Sequence, residues 1–165
     1  MMKQRIAIIF SVFITILVAG ANAQSTTFNA ETIPFSIKLN TGWLATELKD
    51  QKIVRIDKGE KNSRCFFIIE METDSISNSL TLEQYFETGF VNIYKRAGTE
   101  YTSGDTSIRK LKFLWIQRST NSVRGYERFY AARIQDQYCH IFCSAAKAED
   151  FSELINLVGN IRITR

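Results

Sequence analysis

The chain has 165 residues, 45% hydrophobic and 23% charged, and 21 Lys and Arg against 17 Asp and Glu leave a net charge of +4 at pH 7. This is enough apolar material for one substantial core. Charges of both signs are interleaved, which argues against a polyanion surface such as a nucleic-acid site, and three cysteines with a single histidine leave few groups for metal or thiol chemistry.

Lys3 and Arg5 precede an uncharged apolar run, Ile6 to Val18, which is followed by Ala21-Asn22-Ala23. That order reads as a secretory signal peptide, residues 1–23, cut before Gln24. The run falls short of the roughly 20 apolar residues that a membrane span needs. No cysteine lies near the junction to carry a lipid, so the expectation is an exported protein, periplasmic or secreted, with no membrane span after cleavage. Residues 24–31 are polar and are expected to form a flexible arm. No linker or repeat divides 32–165, which reads as a single domain.

Along that domain, Pro34 to Leu39 alternates as a strand and ends at the turn Asn40-Thr41-Gly42. Ile53 to Asp57 is a short strand. Arg64 to Met71 is apolar on both alternating faces, as a central strand covered from two sides would be. The period then changes. Thr81 and Gln84 match a capping box, and Leu82, Tyr85, Phe86, Phe90 and Ile93 fall on one helical face that Gly98 closes. Strand patterns return at 101–108, 111–118, 123–134 and 137–144, with a turn at Ser119 to Ser122, and read as antiparallel hairpins. Phe151, Leu154, Ile155, Val158 and Ile161 recur at helical spacing behind Glu149 and Asp150, so the chain is expected to end in a helix. The fold class that follows is α+β: a mainly antiparallel β-sheet with a mid-chain helix and a C-terminal helix packed on it.

These elements carry a family resemblance. PFSIKLNTGW, leading through a turn to Trp43, resembles the opening of the PsbP-like superfamily, which includes photosystem PsbP proteins, Mog-type Ran-binding factors and many exported bacterial proteins. LTLEQYFETGFVNIYK is similar to its mid-chain helix, and GYERFYAARIQDQYCHIFCSAAKAEDFSELINLVGNI to its closing strands and helix. Asn40 stands where a proline is common, and Ile161-Arg-Ile replaces the usual Ser-Phe ending. The resemblance spans the chain after the leader and implies a PsbP-like sandwich used for binding and assembly, with no shared catalytic residue. The competing scaffold, a cystatin-like or nuclear-transport-factor-like cone, places its main helix before the sheet.

YCHIFC, residues 138–143, holds two of the cysteines and the histidine. In a strand Cys139 and Cys143 point to one face and His140 to the other, so these three cannot share a tetrahedral metal site, even with Cys65 added. Cys139 and Cys143 stand about 13 Å apart in an extended chain and cannot bond to each other. Export favours oxidation, which leaves a disulfide of Cys65 with Cys139 or Cys143 open, against free thiols buried as small apolar groups. Glu70, Glu72 and Asp74 lack the glycine turn and distal glutamate of a loop-type calcium site. No cofactor is expected.

The remaining feature is Arg124-Gly-Tyr126-Glu-Arg128-Phe-Tyr130. Along a strand Arg124, Tyr126, Arg128 and Tyr130 share one face, opposite Val123, Phe129 and Ala131 as core residues. On the preceding strand Leu111, Phe113 and Trp115 share a parity, with Lys112 and Arg118 opposite. Matching core faces would gather the basic and tyrosine side chains on one open surface. Tyr and Arg are enriched at interfaces, so these four residues form the candidate binding face. The function expected is an exported, non-catalytic binding or assembly module acting on a protein or envelope component. The alternative is a small exported hydrolase or thiol enzyme using His140 or a cysteine.

Overall fold

β5 (Phe66–Met71) and β9 (Gln137–Ala145) are apolar on both faces and pair antiparallel at the centre of the sheet, Phe67 opposite Cys143 and Met71 opposite Cys139. Around this pair the computed structural model, which describes residues 25–72, 79–118 and 125–164, builds a seven-stranded antiparallel sheet. The expected signal peptide at 1–23, Asp74, the expected turn at 119–122 and Arg124 lie outside the described residues. From one edge to the other the order is β3 (Trp43–Leu48), β4 (Ile53–Lys58), β5, β9, β8 (Tyr126–Ile134), β7 (Leu111–Arg118) and β6 (Tyr101–Ile108). Each strand runs antiparallel to its neighbours.

A sheet whose central strands are apolar on both sides needs cover on both sides, and it has it. One face carries α3 (Ala148–Val158) and a small three-stranded sheet, in which β2 (Phe35–Leu39) lies between β1 (Thr26–Asn29) and β10 (Arg162–Ile163). Ile37, Val54, Phe67, Phe113, Ile141 and Leu154 meet in the core between these layers. The other face carries the mid-chain helical segment, α1 (Leu82–Phe86), a π turn (Glu87–Val91) and α2 (Asn92–Arg96), whose Tyr85, Phe86 and Val91 pack with Ile116, Ala131 and Tyr138. The mainly antiparallel α+β fold with its mid-chain and C-terminal helices is as the residue pattern predicts.

The capping box forms: Thr81 Oγ1 accepts from the Gln84 amide, and the Gln84 side chain accepts from Thr81 N. Beyond it the helix departs from simple periodicity. Val91 follows Phe86 by five residues, the spacing of a π turn, and the inserted residue rotates the later face. Val91 is buried in consequence, and Ile93, expected on the apolar face, is 59% exposed.

Two further expectations are corrected, and one strand that the residue pattern does not show is added. Thr26–Asn29, expected within a flexible arm, pairs with β2 because Phe28 packs against Phe35, ring centroids 6.2 Å apart. Glu31 and Thr32 are also tied, their amides donating to the Glu47 carboxylate at 3.0 and 2.8 Å. Trp43–Leu48, whose alternation is too polar to register as a strand, is the sheet's edge. α3 ends at Val158, and Ile161 reaches the core from the approach to β10.

The two-sided cover makes a testable distinction. Phe67→Ala removes a ring with 0% exposure and is expected to cost about 3–5 kcal/mol, whereas Ile93→Ala should stay within about 0.5 kcal/mol. Urea denaturation of the two variants checks this.

Candidate functional site

Pairing of β7 with β8 places Trp115 opposite Tyr130 and Gln117 opposite Arg128. Tyr126, Arg128 and Tyr130 therefore share the face of Phe113 and Trp115, not that of Lys112, and this corrects the open basic surface expected from the sequence. The reason is that both faces of the sheet are covered, so alternation does not say which parity meets water. Phe129 lies on the opposite face beneath the mid-chain helical segment. Tyr130 is 2% exposed and stands edge-on to Phe113, and Tyr126 stacks on Phe151 of α3 at 5.5 Å.

α3 is held at its other flank. Lys58 Nζ donates to Asp150 at 2.7 Å and to Glu153 at 2.6 Å, and Trp43 Nε1 donates to Glu153 at 3.0 Å. These two hydrogen bonds to carboxylates hold the Lys58 pKa well above its ordinary value. Docked there, α3 leaves a groove along its opposite side, over β6, β7 and β8. Two clefts of about 200 and 390 Å³ make up the groove, and both are lined by Arg128 and Ile155.

Arg128 is half-buried at the junction of the clefts. Its guanidinium lies 4.5 Å from the Trp115 ring centroid and 5.8 Å from that of Phe151. Gln117 Oε1 accepts from Nε at 2.9 Å and also from Nη2, and the Tyr130 hydroxyl accepts from Nη1 at 3.1 Å. A guanidinium has five N–H donors, so these contacts leave two. Among the described residues no carboxylate pairs with it. The indole that supports it needs room of its own: a Cβ on Gly104, directly opposite Trp115, would stand 2.8 Å from the ring. Trp115, Gln117, Ser152 and Asn156 complete the groove from β7 and α3, and no spacing in the sequence links them to Arg128.

His140 lies on the other face. It is opposite Glu70 on β5, beside Tyr138, and meets the edge of Phe90 at 5.3 Å. The Tyr85 hydroxyl hydrogen-bonds to its Nε2 and donates to Glu72 at 3.4 Å. Tyr85 itself stacks on Tyr138 at 3.8 Å, and the Tyr138 hydroxyl donates to the Leu80 carbonyl at 2.5 Å. Burial lowers the His140 pKa, with the charge of Glu72 acting the other way, and burial raises that of Tyr85.

The three cysteines are buried free thiols. Burial pushes Cys65 up to about 11 and Cys139 up to about 12, and raises Cys143 as well; at neutral pH such groups hold their protons and make poor nucleophiles. Cys65 is one diagonal step from Cys143, which faces Phe67. Cys139 faces Met71, six residues and about 20 Å of strand further on, so the expected alternative of a Cys65–Cys139 bridge is corrected. Among the described residues no group of three or more His, Cys, Asp or Glu side chains could hold a metal ion. Glu70 is exposed, and Glu72 is half-buried beside Tyr85.

No protein-family model matches the chain, and no curated protein matches it. Among solved structures, it is similar to cyanobacterial PsbP (CyanoP) from Synechocystis sp. PCC 6803, with a TM-score of 0.57 over 88% of this chain and 95% of that one, at 7% identity. The fold is PsbP-like. A protein of Bacteroides thetaiotaomicron VPI-5482 is also similar, with a TM-score of 0.51 and 10% identity; 86% of this chain is covered but only 49% of that one. At these identities the PsbP-like fold is shared and residue roles do not transfer.

The buried histidine gives a pH signature. Its folded pKa lies below the ordinary 6.5, so the unfolded chain takes up the proton first, and stability held above about pH 6.5 is lost as the pH falls toward the folded value. The urea midpoint should drop between pH 7 and pH 5 in the parent, and His140→Gln should flatten that drop while lowering the midpoint at pH 7.

Proposed function

We propose that this PsbP-like chain is an exported, non-catalytic binding or assembly module that engages a protein or envelope component through the groove beside α3. The observation that carries this reading is Arg128: a half-buried guanidinium oriented by Gln117 and Tyr130, with no carboxylate partner among the described residues. A cation taken from water without a counter-ion costs free energy, and an anionic group brought by a partner would offset that cost. Of the expected binding residues, Arg128, Tyr126 and Tyr130 line the groove; Arg124 belongs to the same proposal.

Export rests on the leader at 1–23, and among the described residues no helix is long and apolar enough to cross a membrane. In an oxidising compartment, Cys65 and Cys143 are the pair that oxidation would join. The enzyme alternative finds less support, because the Tyr85 hydroxyl occupies His140 Nε2 and the thiols are held protonated.

The test is site-specific photocrosslinking in the native cell, with the crosslinker at Ser152 on the groove wall and at Lys61 as an exposed control. A discrete adduct is expected from Ser152 only, and it should vanish in Arg128→Gln. Equal adducts from both sites, or none from either, would remove the support for this reading.

A further inference from the structure

The groove has a length, a charge and a polarity pattern, and together they define its occupant. α3 has 11 residues, so the groove beside it runs about 16 Å at 1.5 Å per residue. An extended chain rises about 3.3 Å per residue and covers that distance in about five residues. Arg128 is the only cation lining either cleft. One positive charge matches one carboxylate, whereas a phosphate dianion or an anionic lipid surface calls for several.

Aromatic and aliphatic side chains flank Arg128 on both sides, Trp115 and Ile155 in one cleft, Tyr126 and Phe151 in the other. Ser152 and Asn156 are exposed on α3, one helical turn apart on the groove side. A hydroxyl and an amide there can donate to and accept from a peptide backbone. In an extended peptide residues i and i±2 point the same way. A central carboxylate on the guanidinium therefore sends both of its i±2 neighbours down onto the apolar walls.

Resting on the binding-module reading above, we propose that the groove takes an extended segment of a partner protein. The segment carries one Asp or Glu side chain on the Arg128 fork and an apolar residue two positions to either side. The guanidinium is held in place before binding by Gln117, Tyr130 and the Trp115 ring, so the fork loses little side-chain freedom when the carboxylate arrives.

The test uses the protein and a fluorescein-labelled, C-terminally amidated pentapeptide, leucine-alanine-glutamate-alanine-leucine, read by anisotropy. A version with central glutamine and a version with alanine at both ends serve as comparisons. The glutamate peptide is expected to bind at least about tenfold more tightly than the glutamine version, as a charge-assisted bidentate pair does against a neutral one, and the alanine-ended peptide should also bind more weakly. Arg128→Gln should abolish the glutamate preference and Arg128→Lys should retain part of it. Asn156→Trp, an exposed change that fills the groove from its wall, should weaken all peptides while the melting curve stays in place. This second variant carries the test if Arg128→Gln does not fold.

Equal affinity for the glutamate and glutamine peptides, a preference that survives Arg128→Gln, or no binding at all would overturn the proposal. So would inorganic phosphate competing more strongly than acetate. In each of those cases an Arg128-dependent crosslink from Ser152 would leave the binding-module reading standing, and its absence would take both down.

Discussion

α3 sets its apolar side, Phe151, Leu154, Leu157 and Val158, into the core that holds the odd-numbered residues of β9, while Lys58 and Trp43 hold Glu153 and Asp150 at its far flank. The rest of the architecture depends on this docking. It converts the second face of the sheet from a solvated surface into a buried one, and it decides how much of that face stays open. Because the polar clamp draws α3 toward β3 and β4, a groove at Trp115 and Arg128 stays open beside it, while Phe113 and Tyr130 of the same strands are buried. The clamp is partly exposed, so its ion pairs contribute direction more than stability. The apolar contacts supply most of the free energy.

The open groove explains the unusual chemistry of β8. Arg128 stands where a core residue would stand if α3 lay one strand further over. It is accommodated through its planar group, which rests on Trp115 and is fixed by Gln117 and Tyr130. The indole can lie flat only because Gly104 has no side chain beneath it. On the opposite face the polar groups are instead consumed by one another: Tyr85 joins His140 to Glu72 under the helical layer. The two layers thus differ in kind. One holds a hydrogen-bonded network that bears on stability and pH, and the other holds a cation with donors to spare.

Much of this architecture was legible in the sequence. The apolar run of β5 marked a central strand, Thr81 and Gln84 marked a helix start, and strand parity kept Cys139 and Cys143 apart from His140. The failures have physical causes. β1 and β10 are too short for any period to show, β3 is polar along much of its length, and the π turn shifts the apolar face by a residue that no helical period anticipates. The orientation of β8 was not legible because both parities are covered, by α3 on one side and by the mid-chain helical segment on the other. Arg128 was visible as a cation between tyrosines, but its setting comes from Trp115, Gln117 and α3, which only tertiary structure brings to it.

The two tryptophans of the chain report on the central claim directly, because Trp115 lines the groove and Trp43 is bonded to Glu153 on the other flank of α3. Their indole N–H resonances can be followed by ¹H–¹⁵N NMR as a peptide with a central glutamate is added. If the open side of α3 is the binding site, the Trp115 resonance moves in a saturable way and the Trp43 resonance stays still. Movement of Trp43 alone, or of neither, would contradict the placement of the site at Arg128.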